Sequence, residues 1–108
     1  MHKNLRLVYI TTQSSEQAKE IGRKIIEQNL AACVNIIPGM TSFYRWKGKI
    51  ESDEEAILLV KTHTSKTKSL TEFVKETHSY DCPCIISLTL AEGEGNEEYL
   101  NWLISESK

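Results

Sequence analysis

The seven residues from His78 to Cys84 read His-Ser-Tyr-Asp-Cys-Pro-Cys and bring together an imidazole, a phenol, a carboxylate and two thiols. Such a set suits a ligand or metal site. Imidazole accepts several transition metals, and thiolates suit Cu(I) or Zn(II), so His78, Cys82 and Cys84 are the candidate metal ligands. A second reading is purely architectural. Pro83 stops a helix before a strand, His78 caps a helix C-terminus where a cation is favoured, and Tyr80 fills the space beneath the turn. The spacing of Cys82-Pro-Cys84 lacks the C-x2-C pattern of zinc sites, and no matching second pair exists. In an extended chain these two cysteines share a face, about 7 Å apart at the backbone, beyond the usual disulfide range. By itself the pair is a weak metal signal, open to adventitious soft-metal binding and not expected to form a structural zinc site. Cys33, after Ala31-Ala32, reads as a small buried hydrophobe rather than a nucleophile.

A second group precedes Lys47-Gly48. Tyr44 and Trp46 fall on one face of an extended segment, with Phe43 and Arg45 on the other. They form either an aromatic wall for a small ligand or a subunit interface, since interface cores are enriched in Tyr, Trp and Arg. The interface is the preferred reading, and the two coincide if a cleft lies between subunits. Lys61 ends an apolar strand, so its charge emerges at a sheet edge or cleft where it could meet an anion; the alternative is a snorkelling surface lysine. The cleft set is thus Tyr44, Trp46, Lys61, Tyr80 and Asp81. Catalysis finds little support. There is no G-x-S-x-G, H-E-x-x-H or glycine-rich phosphate loop. The carboxylates gather in Glu51 to Glu55 and Glu92 to Glu98, which read as solvated turns. The chain is expected not to be an enzyme. The competing enzymatic reading uses His78 as general acid–base and Lys61 as an anion clamp between subunits.

Periodicity sets the elements that must position these residues. Leu5 to Thr12 is a nearly continuous apolar run, as expected of a central strand. Ser14 and Gln17 form a capping box. It opens a helix whose inner face is Ala18, Ile21, Gly22, Ile25 and Ile26 and which finishes near Asn29. Cys33 to Ile37 reads as a short strand ended by the turn signal Pro38-Gly39. Thr41 to Trp46 then pairs with Ile50 to Thr62; the acidic residues Glu51 to Glu55 should distort or expose the near end, and Ala56 to Val60 is the buried end. A second helix is expected from Ser65 to His78, facing inward through Leu70, Phe73, Val74 and Thr77. Ile85 to Leu90 reads as the last central strand, with Ile86, Leu88 and Leu90 opposite Ser87 and Thr89. Beyond Gly93 and Gly95, Asn96 caps a short helix carrying Tyr99, Leu100, Leu103 and Ile104.

The order is β-α-β-β-α-β plus a terminal helix, which predicts a ferredoxin-like α+β sandwich with one sheet face left open. Lys49 to Thr62 could span about 46 Å, whereas a compact body of this size is about 34 Å across. The hairpin outreaches the body and needs a partner. At 108 residues the chain is one domain, with 40% hydrophobic and 26% charged residues, an ordinary soluble composition. Its net charge of −2, without a basic patch, disfavours nucleic acid. No run is long enough for a membrane helix, and the first residues enter a strand rather than a signal peptide. Three cysteines, an odd number, fit a reducing compartment, so a cytoplasmic location is expected.

The run LAACVNIIPGMTSFYRWKGKI, the strand ending LLVKT, the H-x-Y-x-x-P segment and the closing YLNWL together resemble the CutA family of divalent-cation tolerance proteins. The resemblance extends from about Leu5 to Leu103. It implies a homotrimer on the plan of PII signalling proteins, with Phe43, Tyr44, Trp46 and Lys49 in the subunit interface. It also implies a role in response to divalent metal ions, with copper as the candidate metal and His78 as the aligned imidazole. A small-ligand sensor and a trimeric scaffold for a partner protein are its alternatives. The sequence departs from the family's H-P-Y-E-x-P-E at Ser79, Asp81 and Cys84. Thr11 and Thr77 stand where some bacterial members carry a Cys and a second His. Of that ligand set, only His78 remains.

Overall fold

The computed structural model describes residues 2–108. A short 3-10 turn, His2–Asn4, leads into β1 (Leu5–Thr12), α1 (Ser15–Glu27), β2 (Cys33–Trp46) and β3 (Lys49–His63). These are followed by α2 (Thr64–Thr77), β4 (Ile85–Thr89) and α3 (Glu97–Glu106). The sheet runs β2-β3-β1-β4 with every neighbouring pair antiparallel. This is the ferredoxin-like α+β sandwich that the element order predicts.

Alternation along the two central strands makes the core. Val8 and Ile10 of β1 and Ala56, Leu58 and Val60 of β3 turn to one face, where α1 and α2 meet them with Ile21, Ile25, Leu70 and Val74. Gly22 lets α1 close on the sheet. A Cβ there would lie 3.1 Å from Leu58 Cδ1 and 3.2 Å from Val34 Cγ2. At the start of α1, Ser14 Oγ accepts from the Gln17 amide at 3.1 Å. The Gln17 side chain reciprocates one residue earlier than the box predicts, accepting from the Gln13 amide at 2.8 Å. The helix ends at Glu27, and Asn29 (φ 57°) then turns the chain in the left-handed conformation that Asn tolerates.

Pro38-Gly39 does not end a strand. β2 runs on for 14 residues, and the pairing with β3 shifts between Ile37 and Met40, one residue of β2 being extra. This is a β-bulge, with Gly39 at φ 75° supplying the left-handed step. The shift reverses which residues face which way: beyond it Met40, Tyr44 and Trp46 continue the face begun by Cys33 and Ile37. The acidic residues from Glu51 to Glu55 stay in regular pairing with β2 and are not distorted; Glu51, Asp53 and Glu54 are exposed and Glu55 is half-buried. The hairpin closes through Lys47 (φ 50°) and Gly48 (φ 78°), the double positive-φ pattern of a two-residue turn. It stretches the molecule to 45 × 27 × 22 Å.

The last strand is an edge, not a central strand, because β4 pairs only with β1. It ends at Thr89, before Leu90. Ile86 and Leu88 pair opposite Tyr9 and Leu7, on the face away from α1 and α2, where they are 50% and 45% exposed. α3 packs on β3 and the initial turn and buries Leu103. The rest of that face is uncovered.

Candidate functional site

His78 follows the last residue of α2, its amide donating to the Val74 carbonyl at 2.8 Å. The residue is 8% exposed. Nε2 donates to the Thr11 carbonyl at 2.8 Å, and Nδ1 accepts from the Tyr80 amide at 3.1 Å. This bonding pattern fixes the neutral tautomer with its proton on Nε2, and it uses the one remaining ring lone pair. The ring also leans on Tyr80, with centroids 4.7 Å apart. Ser79 Oγ donates to Gln13 Oε1 at 2.9 Å and accepts from Gln17 Nε2 at 2.8 Å. At the other end of the segment, the Thr11 amide donates to the Cys84 carbonyl at 3.4 Å. The connection is therefore pinned at both ends to the β1–α1 junction. In this arrangement His78 holds the chain path and offers no free nitrogen to a metal. Cys82 is exposed and Cys84 half-buried. Among the described residues no group of three or more His, Cys, Asp or Glu is placed to hold a metal ion.

The connection forms one wall of a groove of about 730 Å³ on the face of the sheet away from α1 and α2, and the hairpin forms the other. Tyr44, Trp46, Tyr80 and Asp81 line it together, as do Cys82 and Cys84. Phe43 borders it and is 76% exposed, and Lys49 is exposed beside the turn. Lys61 is elsewhere. Its Nζ donates to the Tyr99 hydroxyl at 3.0 Å and lies 5.3 Å from the centre of that ring. Lys61 pairs in register with Leu7, four residues along β1 from the Thr11 carbonyl that His78 grips, a separation of about 13 Å. The proposed union of Lys61 with the tyrosines in one cleft does not occur within the subunit, because α3 captures the lysine first.

Two phenol–carboxylate pairs shape the groove. The Tyr44 hydroxyl donates to Asp53 Oδ2 at 2.5 Å, and the Tyr80 hydroxyl donates to Glu55 Oε2 at 2.7 Å. The bond to Asp53 is the main reason the Tyr44 phenol is pushed up to about 12; removal from water adds to it. For Tyr80, loss of hydration comes first and the bond to Glu55 second, and both raise its pKa well above the ordinary phenol value. Both phenols remain hydrogen-bond donors at neutral pH. The groove thus offers carboxylates, aromatic faces and thiols, a lining suited to a cation. Sequence reasoning took Asp53 and Glu55 for solvated turn residues. The signal that could have found them is the bulge: once Pro38-Gly39 shifts the alternation, Tyr44 falls on the same face as Asp53 and Glu55.

Residues 6–106 match the sequence pattern of the CutA1 divalent ion tolerance protein family. The chain is 50% identical over 97 residues to the divalent-cation tolerance protein CutA of Thermus thermophilus, covering 90% of this chain and 92% of that protein. It is 44% identical over 95 residues to human CutA, but those cover 88% of this chain and only 52% of the longer human protein. The solved Cut A1 from Thermus thermophilus superposes with a TM-score of 0.88 at 47% identity, covering 94% of this chain and 97% of that one. CutA1 from Oryza sativa gives 0.90 at 42% identity, with 96% and 94% covered. The pattern spans both walls of the groove and the full hairpin between them, and the chain belongs to the CutA1 divalent ion tolerance protein family.

Proposed function

We propose that the chain works as a cytoplasmic homotrimer in the response to divalent metal ions, copper among them, without catalysing a reaction. Family membership supports the metal-ion role. The observation that carries the assembly is the outer half of the hairpin. Phe43, Trp46 and Ile50 are 76%, 60% and 71% exposed there, and both strands project past the helices that cover the core. Ile86 and Leu88 leave a second apolar strip on the open face. Exposed strand edges and apolar strips of this kind are covered by neighbours in stable proteins. A ring of three, each hairpin lying on the next subunit, covers both at once and leaves no open interface.

Acid–base catalysis by His78 and Lys61 has no support within the subunit, since the two residues serve different contacts about 13 Å apart along β1. The groove does favour one second reading, small-ligand sensing in a cleft completed by the adjacent subunit. The assembly is tested by light scattering on the wild type and on a double variant, Trp46→Asp with Ile50→Asp. The expected result is a fall from about 37 kDa, three times the 12.3 kDa chain, to the single-chain mass. A double variant that keeps the wild-type mass would overturn the role given to the hairpin.

A further inference from the structure

The geometry points to Cys82 and Cys84 as a two-coordinate site for a soft monovalent metal ion, Cu(I) being the representative, built without His78. Pro83 is the reason the two thiols can act together. A proline fixes its own φ and pushes the preceding residue into extended backbone. Extended backbone sets residues two apart on one face, and both cysteines do line the same groove. Their Cα atoms are then about 7 Å apart, longer than a disulfide prefers. A metal bridge is longer than a disulfide. At about 2.3 Å per metal–sulfur bond, a linear S–metal–S unit spans about 4.6 Å, against about 2.05 Å for S–S. The spacing that strains a disulfide therefore suits a bridging ion.

Ligand number selects the ion. Zinc asks for four donors, or three and a water, and among the described residues no group of three is placed to supply them. Two thiolates satisfy a soft ion that accepts linear coordination, and thiolates select Cu(I). The segment is already held in place, with Tyr80 pinned to His78 at 3.1 Å and Cys84 pinned to Thr11 at 3.4 Å. Binding does not have to order a loose loop, which preserves affinity. The carboxylates of Asp53, Glu55 and Asp81 on the groove walls raise the local concentration of cations. In the binding step two S–H bonds are replaced by two S–Cu bonds, both protons leave to solvent, and copper remains Cu(I).

This site deepens the metal-response reading by naming the ion and its ligands, and it takes its physiological meaning from that reading. The test is an anaerobic titration of the purified protein with Cu(I) in competition with bathocuproine disulfonate. One Cu(I) per chain is expected. Cys82→Ser and Cys84→Ser should each weaken binding at least about 100-fold, more than loss of an outer-shell contact does. Cys33→Ser should stay within about 3-fold of wild type, since Cys33 lies outside the groove lining. Wild-type affinity in both groove variants, or an equal loss in Cys33→Ser, would overturn the assignment. Circular dichroism and mass by light scattering on each variant separate loss of the site from loss of the fold or of the assembly.

Discussion

If His78 holds the fold rather than a metal, its removal carries a stability cost that can be worked from its contacts. His78→Ala leaves the Thr11 carbonyl and the Tyr80 amide without their partners at 2.8 and 3.1 Å. An unsatisfied buried polar group costs about 1–3 kcal/mol, and both groups are only partly buried, so about 1 kcal/mol each applies. Loss of the ring contact with Tyr80 adds about 0.5–1.5 kcal/mol. The sum predicts a destabilisation of about 2–4 kcal/mol, read from urea unfolding midpoints at one fixed chain concentration. Two further variants divide the effect. The carbonyl of His78→Asn falls near the position of Nδ1 and keeps the bond from Tyr80. The amide nitrogen of His78→Gln reaches toward the position of Nε2 and keeps the bond to Thr11. Each should recover about 1 kcal/mol relative to Ala, the typical net worth of one hydrogen bond. Ring nitrogen chemical shifts should report the proton on Nε2 in metal-free protein. An alanine variant within about 0.5 kcal/mol of wild type, the usual scatter for a surface substitution, or a proton on Nδ1 would refute the reasoning.

Two other outcomes follow from the same structure. Gly22→Val drives branched methyls into Leu58 and Val34, which a Cβ alone would approach to 3.1 and 3.2 Å; overpacking of this kind predicts a loss of about 3 kcal/mol by urea unfolding. Gly22→Ala should cost less, because about 1 kcal/mol of helix propensity offsets the strain. In the Tyr44–Asp53 pair the folded phenol pKa of about 12 lies above the ordinary value of 10.0, so the native state binds the proton more tightly than the unfolded state. Its contribution to stability is complete below the unfolded value and is lost as pH rises through the folded one. Phenolate absorbance should show Tyr44 titrating late, and Asp53→Asn should bring it back toward 10.0. An unchanged titration in that variant would remove Asp53 as the cause.

Local signals made much of this fold legible. The apolar run of β1, the Ser14 cap, the 3.6-residue stripe of α1 and the Lys47-Gly48 turn act within a few residues of themselves, and each appears where the sequence put it, except that Ile26, expected on the inner face of α1, is 40% exposed. What misled was a local signal overruled at long range. Pro38-Gly39 has turn chemistry, yet Met40 pairs with Glu55 across the sheet, so the step became a bulge inside a longer strand. β4 looked central because Ile86 and Leu88 are apolar; their exposure makes sense only if another surface covers them. The site shows the same division. Tyr44, Trp46, Tyr80, Asp81 and the two cysteines, singled out by residue type and alternation, line one groove. The partners of His78 and Tyr80 could not be, because Thr11 and Glu55 lie 67 and 25 residues away. Lys61 was misplaced for a similar reason: its destination depends on α3, whose docking on the open face leaves no trace in the lysine's own strand.

The hairpin and the groove are two uses of one construction. The bulge that lengthens β2 also turns Tyr44 and Trp46 onto the open face, so the wall of the groove is the surface through which a neighbour is expected to approach. The trimer and a small-ligand cleft between subunits both depend on that assembly. Native mass spectrometry of the unmodified protein, purified without chelator and diluted to micromolar concentration, tests it most directly. A homotrimer should appear as a species of about 37 kDa, three times the 12.3 kDa chain, that persists on dilution. A stable, folded species at 12.3 kDa would contradict it.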